Sequence, residues 1–274
     1  MSLNRKYERP EVKQITRQWV RENCKNITER DLGLLKIIQQ HRIIRRDQLQ
    51  VLYPEFPSTD FLNKRLKMMY QKHLIDRIYP AVGLGKGSPK QHVCLDRAGA
   101  ILLDLEKFNK PIQIDQQGVR SLPLGWEHRI ALNQYKCSIV EVCKSLDAQL
   151  KLCWIERPYV YNDTKIIPDI TCLILHKGKG HLFFLEVDLG TEDTLYIKKK
   201  TDNYKDYYVS KRWYNEKWAQ VFKTPVFPQV LFFTENGRAK RKNALEDYTR
   251  DSAVSFMYGF HEHFKSSLTN MLNG

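Results

Sequence analysis

Three acidic residues lie in stretches that are otherwise largely apolar. Asp169 falls within the run 165–175, and Glu186 and Asp188 are two residues apart in the run 181–189. Residues two apart on a strand project to the same face, so we expect Glu186 and Asp188 to share one. Unpaired carboxylates on buried strands are costly, and they usually hold a metal, pair with a base or lie at an open sheet end. Clustered oxygen ligands favour a hard ion, so the sequence predicts a Mg²⁺ site.

The elements that would position these acids form an α/β pattern. In chain order they are a helix at 126–146, strands at 150–157, 165–175 and 181–189, a helix at 192–212, a strand at 229–234 and a helix at 239–249. The three consecutive strands can form an antiparallel meander. The succession αβββαβα predicts an α/β (α+β) layer fold with a mixed sheet.

The first third of the chain shows three helical stretches followed by two short strands. The helices are predicted at 28–40, 47–52 and 59–72, and the strands at 74–79 and 92–95. The third helix carries Leu62, Leu66 and Met69 at helical spacing as its buried stripe. Three helices followed by a hairpin is the order of a winged helix. We therefore predict a winged-helix domain with an N-terminal extension at 1–110, a linker at 111–124 and a second domain at 125–274.

The opposite face of the third helix is polar and basic. Amide groups can read adenine edges in a major groove, while lysines meet guanine or phosphate. The first turn of this helix can receive a phosphate on its backbone amides, and the glycine-rich connection 81–90 can flank the groove. The residues predicted to contact DNA are Arg45, Arg46, Ser58, Thr59, Asn63, Lys64, Lys67, Lys86 and Lys90.

The positive charge is concentrated in the same third of the chain. Residues 1–110 contain 22 Lys and Arg against 12 Asp and Glu, a net charge of +10, whereas residues 111–274 carry +4. A concentrated positive field is typical of a polyanion binder, because the release of counterions from phosphates drives association. We expect double-stranded DNA as the partner. Winged helices also serve as protein-interaction modules, so a protein partner stays open.

Other classes of site are not supported by the sequence. The six cysteines form no CxxC pair, which favours buried free thiols over zinc ligands. The glycines at 83–87 lack the spacing of a phosphate-binding loop for nucleotides. No signal-peptide pattern opens the chain, and no apolar run approaches the roughly 20 residues that span a bilayer. We expect a soluble, cytoplasmic protein.

The acidic motif resembles the core of the PD-(D/E)XK nuclease superfamily. Pro168-Asp169 is followed after sixteen residues by Glu186-Val187-Asp188, and a preceding helix carries Glu127. More narrowly, the chain resembles the plasmid replication-relaxation family over about residues 28–249. That resemblance rests on the winged-helix pattern, the Pro-Asp pair, the segment Phe-Leu-Glu-Val-Asp-Leu-Gly-Thr-Glu at 184–192, Lys200 and Tyr204.

The resemblance implies action on plasmid or mobile-element DNA, during replication initiation or control of supercoiling, with a relaxase or replication initiator as partner. By superfamily analogy Asp169 and Glu186 would bind Mg²⁺, which would polarise a phosphodiester and activate water. The superfamily places a lysine two residues after the glutamate, where this chain has Asp188. Lys200 on the next helix is the candidate replacement. The implied catalytic set is Glu127, Asp169, Glu186, Asp188 and Lys200.

Three functions stay open on the sequence alone. The first is a DNA-binding accessory or initiation factor of a plasmid-like element. The second is a Mg²⁺-dependent endonuclease or nickase that uses the acidic site. The third is a non-catalytic scaffold or transcriptional regulator, whose winged helix grips another replication or transfer protein. A symmetric DNA site would require a homodimer.

Overall fold

The computed structural model describes residues 9–80, 90–114, 120–122, 124–190 and 193–274. The chain divides into two compact units, Met1–Cys137 and Ser138–Gly274. The division falls inside the long helix Trp126–Ser145. The predicted linker at 111–124 therefore lies within the first unit, and the predicted domain limits stay predictions.

The first unit alternates short helices with short strands. Its elements are α1 (Arg17–Asn23), α2 (Glu29–His41), β1 (Ile43–Arg45), α3 (Arg46–Leu52), α4 (Thr59–Gln71), β2 (Ile75–Ile78), β3 (His92–Leu95), α5 (Arg97–Leu102), β4 (Gln113–Ile114), β5 (Arg120–Ser121) and the first part of α6 (Trp126–Ser145). Strands β1, β3 and β2 form an antiparallel sheet in that order.

The predicted helices of the first unit are present, and three of its described strands, β1, β4 and β5, were not predicted. The stripe of Leu62, Leu66 and Met69 on α4 is buried in the core of the unit, as predicted. The segment between the first two predicted helices, for which no strand was predicted, contains β1. Ile43 and Ile44 are β-branched and pair with β3, which explains why the chain is extended there.

Side chains from the first part of α6 satisfy buried polar groups beside β1. The Asn133 amide donates to the Ile43 carbonyl at 2.8 Å. His41 Nδ1 lies 2.5 Å from Asn133 Oδ1 and donates to it, because that oxygen can only accept. The Gln48 amide donates to the Ile130 carbonyl at 2.9 Å. Since buried polar groups must be paired, these bonds fix the first part of α6 against β1 and α3 within the first unit.

The second unit is a mixed sheet with helices. Its elements are the rest of α6, then β6 (Gln149–Ile155), β7 (Tyr159–Tyr161), β8 (Thr164–Ile166), β9 (Ile170–His176), β10 (Lys179–Asp188), α7 (Thr194–Val209), β11 (Gln229–Thr234), α8 (Ala239–Thr249), β12 (Phe256–Phe260) and α9 (Phe264–Asn273). The main sheet has the order β12-β11-β10-β9-β6. Strands β10, β11 and β12 are parallel, while β6, β9 and β10 are antiparallel. The predicted α/β class with a mixed sheet is confirmed.

Two details of the predicted second unit are wrong. The strand predicted at 165–175 is two strands, β8 and β9, separated by Ile167, Pro168 and Asp169. Proline cannot donate to a ladder, so the pairing breaks there. Asp169 therefore precedes β9 instead of interrupting a strand. Strands β7 and β12 and helix α9 were also not predicted. None of the described helices is both long enough and apolar enough to cross a membrane.

Protonation of His41 is expected to destabilise the protein in acid. Burial and the nearby Lys136 ammonium lower the pKa of His41 from 6.5 to about 4. The unfolded chain therefore binds the proton first, so this contribution to stability is present above pH 6.5 and is lost as the pH falls toward 4. We expect a loss of about 3 kcal/mol in the free energy of unfolding over this range.

Urea denaturation at several pH values tests this expectation. The variant His41→Gln should be less stable at neutral pH but show a flatter dependence on pH between 4 and 6.5. His263→Gln, which changes an exposed histidine, should keep the wild-type dependence. If the free energy of unfolding of His41→Gln falls as steeply as that of the wild type between pH 6.5 and 4, His41 does not cause the loss of stability in acid.

Candidate functional site

Neighbouring strands bring Asp169 and Glu186 together. Strands β9 and β10 are antiparallel, and Ile170 pairs with Leu185. Asp169 precedes Ile170 and Glu186 follows Leu185, so Asp169 and Glu186 lie opposite each other. One oxygen of Asp169 accepts a hydrogen bond from the Val187 N–H at 2.7 Å. The backbone of β10 thus fixes the Asp169 carboxylate beside Glu186, as the predicted acidic pair requires.

Helix α7 supplies two partners to the Glu186 carboxylate. Glu186 is only 3% exposed. The Tyr204 hydroxyl donates to Oε1 at 2.5 Å, and the Lys200 ammonium donates to Oε2 at 3.1 Å. Both residues lie on one side of α7, because residues four apart in a helix are neighbours. The predicted replacement lysine therefore points toward the acidic pair and contacts Glu186.

The electrostatics of this cluster are set by burial. Desolvation raises the pKa of Glu186 to about 7, while the Lys200 charge lowers it and the Asp169 charge raises it. Burial and the adjacent Glu186 raise the pKa of Tyr204 well above 10. Tyr204 is 2% exposed and stays protonated, so it acts as a donor to Glu186.

Asp188 shares the β10 face of Glu186 but has different partners. Its Oδ2 accepts from the Thr234 hydroxyl at 2.8 Å and from the Arg241 guanidinium at 2.6 Å. Its Oδ1 accepts from the Gly190 N–H at 2.8 Å. These bonds tie the end of β10 to β11 and α8. Its predicted membership of the catalytic set stays a prediction, and the described partners give it a positioning role.

The described carboxylates do not form a ready-made metal site. Both oxygens of Glu186 already accept from protein donors, one oxygen of Asp169 accepts from a backbone amide, and Asp188 is paired with Arg241. Among the residues that the structure describes, no group of three His, Cys, Asp or Glu side chains could hold an ion. Glu127 is exposed in the first turn of α6, within the first unit, and its supporting role stays a prediction. The Mg²⁺ site at Asp169 and Glu186 also stays a prediction.

The predicted DNA-contacting residues are grouped around the start of α3 and along α4. The Arg46 guanidinium lies 3.5 Å from the Asn63 side-chain oxygen, which joins the two helices. Lys90 lies two residues before β3, and its ammonium is 3.7 Å from an Asp47 oxygen. Lys64 is exposed and Lys67 is half-buried on the same side of α4 as Asn63.

Three predicted contact residues are used within the protein. Arg45 binds both oxygens of Asp47, at 2.9 and 3.1 Å, and Gln134 at 2.6 Å. The Ser58 hydroxyl caps α4 by accepting from a backbone N–H. Thr59 donates to a glutamine of α3 at 2.9 Å. Lys86 lies outside the described residues.

The sequence analysis missed Thr234 and Arg241 as partners of the acidic strand. The sequence held a partial signal, because Asp188 and Thr234 are polar residues at the ends of apolar runs, and the structure shows that these two strands run in parallel. The polar ends of parallel strands meet at the same edge of a sheet, and α8 follows β11 closely. The pairing of β10 with β11 was not predicted, and without it these contacts could not be found.

Comparison with known proteins identifies the family. A family model described as replication-relaxation matches residues 35–221, more than half of the chain. The chain belongs to the replication-relaxation family. The match spans α2 to the region after α7, and so includes both the α4 surface and the cluster of Asp169, Glu186 and Lys200. Membership fits a replication-related role.

Other comparisons add little. No curated protein matches this replication-relaxation chain. Among solved structures, it is similar to restriction endonuclease FokI bound to DNA, with 12% sequence identity and a TM-score of 0.30. The similarity covers 91% of this chain and 46% of the FokI chain, so this chain spans less than half the length of that protein.

The buried Glu186 should make stability depend on pH in the opposite sense to His41. Its folded pKa of about 7 exceeds the ordinary value of 4.5, so the folded state holds the proton more tightly. Its contribution is therefore full below pH 4.5 and is lost as the pH rises through 7. Relative to Glu186→Gln, the wild type should lose stability over that range in urea denaturation. Glu127→Gln, at an exposed carboxyl, is the control that should track the wild type.

Proposed function

We propose that this replication-relaxation protein binds duplex DNA through the surface formed by the start of α3 and the exposed side of α4. The supporting observation is the gathering of Arg46, Asn63, Lys64 and Lys67 on one side of these helices, with Lys90 nearby. Side chains with amide, ammonium and guanidinium groups are those that contact base edges and phosphates.

The order of elements in the first unit supports a winged-helix interpretation. Helix α2, strand β1, helices α3 and α4 and the antiparallel pair β2–β3 follow one another in the chain, and β1 closes the small sheet. In winged helices of this order the last helix enters the major groove. We infer that α4 is the recognition helix, with its buried stripe against the core and its polar side toward DNA.

The proposed biological role is accessory. The protein would bind DNA of a plasmid or mobile element during replication or relaxation, and a relaxase or replication initiator is the proposed protein partner. A homodimer is proposed only for the case of a symmetric DNA site, because two recognition helices would then read two half-sites.

Replacing the α4 lysines tests the DNA-binding surface. For Lys64→Ala/Lys67→Ala we expect weaker binding to a duplex and a smaller dependence of affinity on salt, with the slope reduced by about 2, because each lost phosphate contact removes about one released counterion. Fluorescence anisotropy over a salt series measures both. The double variant Lys36→Ala/Lys107→Ala removes two exposed lysines of the same unit and should keep the wild-type slope.

If the α4 double variant keeps the wild-type salt slope, the proposed surface is wrong. If the wild-type protein shows no duplex binding even at low salt, the scaffold function with a protein partner replaces DNA binding.

One observation favours an endonuclease as a second candidate function. The Lys200 ammonium contacts Glu186 beside Asp169, which supplies the lysine that the motif lacks at position 188. Against cleavage, both oxygens of Glu186 are engaged, and the described residues present no three-ligand metal group. We therefore rank cleavage second. We propose that the second unit does not cleave DNA while Lys200 and Tyr204 occupy the two oxygens of Glu186.

A plasmid-nicking assay separates the two candidates. We expect the wild type to convert no more supercoiled plasmid to open circle, with Mg²⁺ or Mn²⁺, than a protein-free control. Nicking by the wild type that Asp169→Ala and Lys200→Ala both abolish would establish the enzyme instead. Nicking that survives both substitutions would indicate a contaminating nuclease and leave the binding function in place.

A further inference from the structure

One flank of α7 carries an aromatic ring, two ammonium groups and an amide in a continuous stripe. The residues are Tyr196, Lys199, Lys200 and Asn203, at positions i, i+3, i+4 and i+7, which are neighbours on a helix surface. Tyr196 is 51% exposed. Lys199 is exposed, and Lys200 and Asn203 are half-buried.

The stripe is continuous with the acidic cluster. The Lys200 ammonium lies 5.4 Å from the centre of the Tyr196 ring and 3.1 Å from Glu186 Oε2. The side chain of Lys200 is 24% exposed, and its ammonium contacts a buried carboxylate. A ligand on the Tyr196 ring would therefore lie close to the Lys200 ammonium.

The other flank of α7 is built differently. There Tyr248 of α8 has Lys198 and Lys205 over its ring, at 4.7 and 4.3 Å from the centre. Its hydroxyl donates to Asp202, whose oxygens lie 2.9 and 2.8 Å away. Tyr248 is 40% exposed, compared with 51% for Tyr196. Its ring has two ammonium groups over it and its hydroxyl is bound to Asp202, whereas the Tyr196 ring has the Lys200 ammonium at 5.4 Å. The two tyrosines therefore differ less in exposure than in their contacts, because Tyr248 is held by Asp202 and two lysines.

We propose that the stripe binds single-stranded DNA, with a base stacked on Tyr196 and the flanking phosphates on Lys199 and Lys200. Proteins bind single strands by combining cations that follow the backbone with aromatic rings on which bases stack. In a duplex the bases stack on one another and their faces are covered, so an unpaired strand is the form that can use the ring. This inference rests on the proposed function in one respect, namely that the chain acts on DNA.

The stripe would give the two units different DNA partners. The first unit would bind duplex DNA through α4, and the α7 stripe of the second unit would bind the single strand that is exposed when a duplex opens. The amide of Asn203 extends the stripe by one helical turn beyond Lys199, where it can contact a further backbone group. Initiation of replication and relaxation of supercoils are both processes in which such a strand is exposed.

Fluorescence anisotropy with a labelled oligo(dT) of about 15 nucleotides tests the stripe, since single-strand sites of one small fold span about 4 to 16 nucleotides. In the full-length protein, Tyr196→Ala should weaken binding about 5- to 100-fold, the effect of losing one stacked base. Tyr196→Phe, which keeps the ring, should bind within about twofold of the wild type. Tyr248→Ala is the matched control, and it should bind like the wild type, as should Tyr196→Ala on a duplex.

The results that would overturn the inference are specific. Unchanged oligo(dT) binding in Tyr196→Ala, or a loss in Tyr248→Ala alone, excludes the proposed ring. Wild-type protein that binds duplex but not oligo(dT) overturns the single-strand site and leaves the proposed duplex function standing. A third outcome separates the two proposals. If Tyr196→Ala weakens oligo(dT) binding but Lys64→Ala/Lys67→Ala leaves duplex binding unchanged, the α4 surface is wrong and the stripe is supported.

Discussion

A charge that leaves water must be paired, because burial of an isolated ion costs several kcal/mol even after the protein relaxes. This constraint shapes both units. In the second unit it places α7 along β10, since Lys200 and Tyr204 must reach the buried Glu186. In the first unit the fully buried Asp31 is paired with Arg65 of α4, which fixes α2 against that helix. A buried carboxylate thus helps to position each of these helices, Glu186 for α7 and Asp31 for α4.

The same constraint sorts the cations into two groups. Arg45, Arg65 and Arg241 bind acidic side chains of their own unit and hold elements together. Lys64 and Lys199 are exposed on helix surfaces, where their charge faces solvent. A high net charge therefore does not by itself define a binding surface. We propose binding surfaces where exposed cations lie beside groups that can contact bases, as Lys64 does beside Asn63 on α4 and Lys199 does on the flank of α7 that carries Tyr196.

Local patterns in the sequence predicted much of the fold and part of the site. The stripe of Leu62, Leu66 and Met69 predicted α4, and apolar runs predicted the central strands, because burial periodicity is a local property. Strand β1 was missed because three residues are too few to show a period. The pairing of Asp169 with Glu186 was within reach of the sequence, whereas the partners of Asp188 depend on a parallel strand that is 40 residues away in the chain.

The central claim is that α4 lies against DNA, and site-specific photo-crosslinking tests it most directly. A photoreactive phenylalanine is introduced at position 64 of the full-length protein, or at position 36 on α2 as the control, and each protein is irradiated with labelled duplex. The account predicts crosslinks from position 64 that fade as salt is raised, and none above background from position 36. Equal crosslinking from both positions, or crosslinking from position 36 alone, would contradict it.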